Sequence, residues 1–270
     1  MSHLRKPLLI VMGVIWLLPI YLMIANATKT DQQYADTSLW MPGGLDGLVE
    51  NFSRAWTQGR ISSGIASTAI YAIVAPIVAA LIGALGGFSM VALKLRRGFF
   101  WFVLIFCSTV FPMQMLLMPL FMGYVQFNIF DTRFGMVLIY TAISVPFAVF
   151  VMRNFMTGIS YTVYEAAVID GAGPFRVFWS VYLPMSRSAL FAIFVLQATF
   201  VWNDLLLGLT LSQSEDVRPV MTALSALQST YGGSTMPTVL AAGLIVSLPT
   251  AVLFLSTQRT FSRGLALGQY

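Results

Sequence analysis

The chain has 270 residues and a formal net charge of +5, yet only 9% of its residues are charged, 58% are hydrophobic and the mean hydropathy is +0.81. A soluble domain of this length carries roughly a quarter charged residues, so the composition excludes a water-soluble globular fold and indicates an integral membrane protein. With Cys107 alone and His3 the single histidine, a disulfide scaffold and a histidine-based metal or catalytic centre are excluded as well.

Uncharged runs mark the membrane spans, since a helix needs about 20 apolar residues to cross a bilayer. The first is 7–27. Arg5 and Lys6 before it and Ala25-Asn26-Ala27 at its end imitate a cleavable secretory signal, but 21 apolar residues exceed the usual core of about 7 to 15, and an uncleaved helix is expected. Residues 28–60 follow as a polar, acid-rich extracytoplasmic loop containing Pro42, Gly43, Gly44 and Gly47. The second span, 61–93, carries Gly83, Gly86 and Gly87 with Ala79, Ala80 and Ala84, a small-residue face suited to close helix contact. The third, 98–130, holds Met113, Met115, Met118 and Met122, read as core packing, and the fourth covers 134–152. A charged loop at 154–187 separates it from the fifth span, 188–203, and the sixth lies within 219–258. Five of the six contain proline: Pro19, Pro76, Pro112 with Pro119, Pro146 and Pro249. In lipid a freed carbonyl must find another partner, so such prolines suit kinked packing or a cavity-forming bundle equally.

Charge sets the orientation. With the N-terminus inside, ten basic residues fall on the cytoplasmic side (Arg5, Lys6, Lys94, Arg96, Arg97, Arg153, Arg176, Arg187, Arg259, Arg263) and five outside, while seven acids lie outside and only Glu165 and Asp170 inside. The positive-inside rule then places both termini in the cytoplasm. The basic excess, with pI near 9.5, matches anionic lipid on that face and calls for no nucleic acid.

The loop at 154–187 reads as helix, turn and helix. Residues 161–170 suit a short helix with Tyr164, Ala167 and Val168 on one face, and Gly171 supplies a left-handed cap. Pro174 opens a second helix whose apolar face is Phe175, Phe178, Trp179 and Tyr182, ended by Pro184. Glu165 and Asp170 disfavour a merely lipid-bound loop and favour a protein partner.

Within that loop Glu165-Ala166-Ala167, Asp170-Gly171-Ala172 and Leu183-Pro184 resemble the EAA loop of binding-protein-dependent ABC importers, and the runs FVWNDLLLGLTL and TQRTFSRGLALG extend the resemblance to MalG-type permeases of the carbohydrate uptake family. The chain departs from the family pattern at Ser160 and Ser188, where proline is usual, at Ser67-Thr68, and in its ending Leu267-Gly268-Gln269-Tyr270. The resemblance implies an all-α membrane protein of six transmembrane helices forming one domain over 1–270, with a cytoplasmic coupling helix between helices four and five. It implies a bacterial or archaeal cell membrane, a second, MalF-like permease, two ATPase subunits and a solute-binding protein docking on the outer loops. Glu165, Ala166, Ala167, Asp170, Gly171, Ala172 and Pro184 would carry ATPase coupling. No G-x-x-x-x-G-K-[ST] cradle occurs, so ATP and Mg would be bound by the partner ATPase.

Inside the bundle only Asp204 ionises, about 24 Å beyond Ser188 and so toward the outer surface. Gln197 lies seven residues earlier on the same face, and with Gln114, Trp202 and Asn203 it completes a candidate solute path. A helix-end carboxylate bonded to local backbone is the alternative for Asp204. A secondary carrier would need several buried ionisable groups. The expected function is therefore ATP-driven import of a sugar or related polar solute, with glycerol phosphate or another non-sugar solute as the alternative and a stand-alone carrier less favoured.

Overall fold

A computed structural model describes residues 2–57, 59–228 and 233–266, with side chains for 6–57, 59–228 and 233–258; His3, Arg5, Arg259, Arg263 and the tail at 267–270 lie outside those side chains. Every regular element among the described residues is helical. In order these are α1 (Ser2–Ala27), α2 (Asp31–Asp36), α3 (Leu45–Thr57), α4 (Ile61–Val91), α5 (Gly98–Cys107), α6 (Met113–Gln126), α7 (Arg133–Thr157), α8 (Tyr161–Ile169), α9 (Pro174–Val177), α10 (Leu183–Met185), α11 (Arg187–Trp202), α12 (Leu206–Leu211), α13 (Val220–Gln228) and α14 (Met236–Ala266). Four are long and apolar enough to cross a membrane: Lys6–Ala27, Ile61–Val91, Arg133–Thr157 and Met236–Gln258. Two bent pairs, Gly98–Val110 with Met113–Gln126 at 95° and Pro174–Met185 with Arg187–Trp202 at 72°, bring the number to six when each pair counts as one span.

The third apolar run is thus not one straight helix. Proline clashes with helical backbone in the residue before it, and Phe111 accordingly adopts an extended conformation (φ −71°, ψ 126°) before Pro112. Met115, Met118 and Met122 on α6 are exposed in this chain, which corrects the core-packing expectation. The segment at 28–60 is also more ordered than a loop: Thr30 and Gln33 form a reciprocal capping box that starts α2, and α3 follows.

The chain divides into two compact units. One comprises 220–251 and the described part of 1–65. In it α1 is exposed along most of its length and buries only its last turn, Ala25 to Ala27. Asn51 of α3 ties that turn down, its amide donating to the carbonyls of Ala27 (3.0 Å) and Lys29 (2.7 Å) while its oxygen accepts from Thr238 at 3.1 Å. Lys29 is buried with its ammonium donating to the Ser38 carbonyl at 2.8 Å.

The other unit comprises 66–219 and the described part of 252–270. Its core joins α4 to α7, and the small-residue face of α4 makes the approach possible: a Cβ at Gly83 would stand 2.6 Å from the Ala148 carbonyl carbon, and one at Gly87 would stand 3.0 Å from the backbone of Met152 and Arg153. Gly86 has only Val149 side-chain atoms nearby, the nearest at 3.4 Å. Gly83→Val should therefore lower the thermal unfolding midpoint of the detergent-purified protein, by an overpacking cost of about 1–3 kcal/mol, whereas Gly86→Ala should leave it near wild type. Equal midpoints for the two variants would contradict the close α4–α7 approach.

Candidate functional site

The region between α7 and α11 stands on one aromatic seat. α8 stops at Asp170, and Gly171 then takes φ +78°, a left-handed conformation open to glycine without strain; its N–H donates to the Val168 carbonyl (2.9 Å) and that of Ala172 to Ala167 (3.0 Å). A Cβ at Gly171 would meet no atom within 4 Å, so backbone conformation and not space demands glycine here. Pro174 opens α9 at its first position, and the chain then widens into a π-helical turn over Phe178–Tyr182, where the Leu183 N–H reaches back to the Phe178 carbonyl. Such turns recur at functional sites. The helix runs through Pro184 to Met185 and bends at Ser186.

This geometry divides the loop's aromatics. Phe178 and Tyr182 are buried beside Val177, while Phe175 is 74% exposed and Trp179 43%. The expectation of a single apolar face from 175 to 182 is corrected accordingly. The buried rings converge on Phe88 of α4, with centroid separations of 5.4 Å to Phe178, 5.0 Å to Tyr182 and 6.4 Å to Tyr164 of α8. Met152 and Met156 of α7 and Ala189 and Ile193 of α11 complete the same cluster, against which Ala167 and Ala172 also pack. Lys94 places its ammonium 3.6 Å from the Tyr161 ring centroid.

The opposite surface of the loop is free in this chain. Glu165, Ala166, Asp170 and Arg176 are exposed, and Ile169 is 84% exposed beside them. Ala167, Ala172 and Pro184 are half-buried. The coupling set read from the sequence is thus split between the two faces: Glu165, Ala166, Asp170 and Gly171 on the exposed one, Ala167 and Ala172 on the seated one. Phe88 and Ile169 escaped the sequence reading; the series Ala80, Ala84, Phe88, Ala92, spaced by four with one large member, was the available signal for Phe88.

The candidate path residues lie elsewhere in the unit. α11 ends at Trp202, so Asp204 follows the helix instead of continuing the Gln197 stripe. Its Oδ2 accepts from the Tyr140 hydroxyl (3.0 Å) and from the N–H groups of Leu207 (3.1 Å) and Gly208 (3.3 Å), capping α12. Trp202 is buried, Gln197 half-buried and Asn203 exposed, its amide donating to the Thr199 carbonyl at 2.8 Å. Gln114 is exposed on α6. Nearby, Asp131 clasps the chain after α12, accepting from the N–H groups of Gln213 (2.7 Å) and Ser214 (3.0 Å). Burial acts to raise the Asp131 pKa, but those N–H donors and Arg218 outweigh it and hold the carboxyl below its ordinary value. Arg133 and Ser67 both donate to the Asp216 carbonyl, at 3.2 Å and 2.6 Å.

Known proteins resemble the chain over most of its length. The family described as "Binding-protein-dependent transport system inner membrane component" matches residues 73–265. The diacetylchitobiose uptake system permease protein NgcG of Streptomyces coelicolor is 26% identical over 269 residues, spanning 97% of this chain and 87% of that one. The sn-glycerol-3-phosphate transport system permease protein UgpE of Yersinia pestis is 27% identical over 268 residues, spanning 96% and 94%. The crystal structure of a bacterial ABC transporter involved in the import of the acidic polysaccharide alginate has the same fold, with a TM-score of 0.79 at 21% identity over 96% of this chain and 95% of that one.

Removing the Asp204 carboxyl tests the cap directly. Asp204→Ala should destabilise the protein by about 1–3 kcal/mol, because it leaves the Tyr140 hydroxyl and two N–H groups unpaired. Asp204→Asn keeps an acceptor oxygen and should stay within about 1 kcal/mol of wild type. Thermal unfolding in detergent checks both, and an unaffected Asp204→Ala would refute the capping role.

Proposed function

The chain belongs to the family of binding-protein-dependent transport system inner membrane components, and from that membership we propose that it imports a sugar or related polar solute by alternating access. It is a multi-pass permease subunit of an ABC importer, a transport component and not an enzyme, working with an ATPase and a solute-binding protein. The finer assembly we infer has one such chain beside a second, MalF-like permease, with two ATPase subunits that bind ATP and Mg.

The observation that carries this reading is the one-sided seating of the loop between α7 and α11. One face is locked into the Phe88 cluster, so a displacement of the loop moves the bundle with it, and the other face presents Glu165, Ile169, Asp170 and Phe175 outward. That is the shape needed by an element pushed by a nucleotide-driven partner, and rigid-body switching is what such an interface transmits. Glu165 would pair with a basic group of the ATPase, and Ile169 would enter an apolar recess beside it. The sugar class is supported by relatives whose names specify diacetylchitobiose and starch degradation products. The UgpE likeness keeps glycerol phosphate as the second reading, and uptake by the reconstituted importer of labelled oligosaccharide against glycerol phosphate separates the two. Gln114, Gln197, Trp202, Asn203 and Asp204 remain the proposed path.

The basic asymmetry supports a cell-membrane orientation with both termini in the cytoplasm. Reporter fusions after Arg97 and Arg187 should register cytoplasm, and fusions after Asp46 and Asp216 the exterior; the reverse pattern would sink this orientation.

Glu165→Lys should abolish or sharply reduce ATPase co-elution and uptake while the bundle still folds. Reversal of a desolvated interfacial charge typically changes a contact by a few kcal/mol, whereas an exposed substitution usually alters folding by less than about half a kcal/mol. Co-elution and uptake at wild-type levels in a folded Glu165→Lys protein would remove Glu165 from the docking surface.

A further inference from the structure

We propose that α3 is an interfacial helix lying in the headgroup boundary of the bilayer, and that with α14 it seats a phospholipid acyl chain. The inference does not depend on the transport reading; it rests on how three arcs of one helix are used.

At 100° per residue, Gly47, Asn51 and Ala55 fall on one arc, and all three are buried. Asn51 fixes this arc to the carbonyls of Ala27 and Lys29, where the span α1 ends, and to Thr238 in the first turn of the span α14. The helix is therefore held at the level where two membrane spans terminate. A second arc carries Asp46, Glu50 and Arg54, the guanidinium of Arg54 pairing with Glu50 and with Asp31 at 3.0 Å. The third arc is Leu45, Val49, Phe52 and Trp56, spaced as i, i+4, i+7 and i+11. It contains no charge, and Leu45 is 78% exposed, Val49 68% and Trp56 49%. Protein on one side, charge on the second and bare hydrocarbon on the third is the division that an interface-bound helix requires.

The apolar arc continues into a groove of about 350 Å³ lined by Phe52, Ser53, Trp56, Thr57 and Ile245. Ile245 lies within the span Met236–Gln258, nine residues from its start and so roughly 14 Å along the helix axis. One wall of the groove is thus at hydrocarbon depth. A water-soluble partner cannot reach that wall without entering the bilayer, and such a partner would meet the charged arc first. An acyl chain already occupies that depth. Near the end of α1 the ring of Tyr21 stacks on exposed Trp40 at 6.5 Å and its hydroxyl donates to the Trp40 carbonyl at 2.7 Å, a pairing of amphipathic aromatics suited to the membrane–water boundary above that wall.

The test uses the whole transporter reconstituted into phosphatidylethanolamine–phosphatidylglycerol vesicles. Nitroxide labels placed singly at Leu45, Val49, Asp46 and Glu50 are compared for collision with oxygen, which concentrates in lipid, and with a water-soluble nickel chelate. Leu45 and Val49 should favour oxygen, and Asp46 and Glu50 nickel. Nickel access at all four would place the apolar arc in water, and shielding of Leu45 and Val49 from both would place another protein chain on it; either result overturns the proposal. Where a label disturbs assembly, the conservative Trp56→Phe decides alone. In vesicles brominated near the glycerol end of the acyl chains, it should remove a lipid-quenchable part of the tryptophan emission, and unchanged quenching would overturn the proposal.

Discussion

The contact on which the loop between α7 and α11 depends is the ring of Phe88. Within a bilayer the hydrophobic effect no longer drives helices together, and van der Waals packing and hydrogen bonds must hold them. Phe88 answers that constraint with one side chain that meets Tyr164, Phe178 and Tyr182 at centroid distances of 5.0 to 6.4 Å. Aromatic pairs of this geometry contribute about 0.5–1.5 kcal/mol each beyond the area they bury. The three rings come from both short helices of the loop, so neither can lift away without opening the same cluster. Residues whose tips are polar, Tyr164 and Tyr182, suit a seat at the edge of the membrane, where one end of a ring is apolar and the other can be wet.

Phe88 can occupy this position because its neighbours are small. Ala80 and Ala84 share its side of α4, buried Ala92 follows just past the helix end, and Gly83 and Gly87 let the α7 backbone approach where a Cβ would collide. A larger residue at either glycine would push α7 away and open the gap that Met152 and Met156 now fill. The glycines therefore set the interhelical distance, the methionines adapt to the irregular space left, and the aromatic seat follows from both.

Hydropathy made the spans legible, since nothing else in the sequence can supply runs of that length without charge. The helix–turn–helix of the loop was legible too, because Gly171 and Pro174 have mechanical reasons to stand where they do. Other features were present in the sequence but outweighed by composition. Phe111-Pro112 marked the 95° bend, yet the surrounding run was apolar enough to read as continuous. Thr30 with Gln33, and the series Leu45, Val49, Phe52, Trp56, marked helices in a segment whose glycines and acids read as loop. The exposure of Met115, Met118 and Met122 inverted the expectation of core packing, because apolar character alone cannot tell a residue facing its own bundle from one facing lipid or a partner. Contacts such as Asp131 with Gln213 and Ser214, 82 and 83 residues apart, leave no local trace and belong to tertiary structure alone.

The seat and the Asp204 cap share one structural member, α7. Met152 and Met156 near its C-terminal end belong to the Phe88 cluster, and Tyr140 nearer its start donates to Asp204. Sixteen residues of unbroken helix separate Tyr140 from Met156, roughly 24 Å at 1.5 Å per residue. Pro146 lies between them and is buried, as are Ser144, Ala148 and Val149, so packing supports the helix at the position where its own ladder is weakest. Close packing around Pro146 keeps α7 one continuous helix from the seat to the cap. α7 therefore links the Phe88 cluster at one end to the residue that holds the cap of α12 at the other, the Tyr140 hydroxyl donating to a carboxylate oxygen that also accepts from two N–H groups of that helix. The loop and the region around Asp204 are joined through the backbone of one helix, with no need for a wire of polar residues through the membrane.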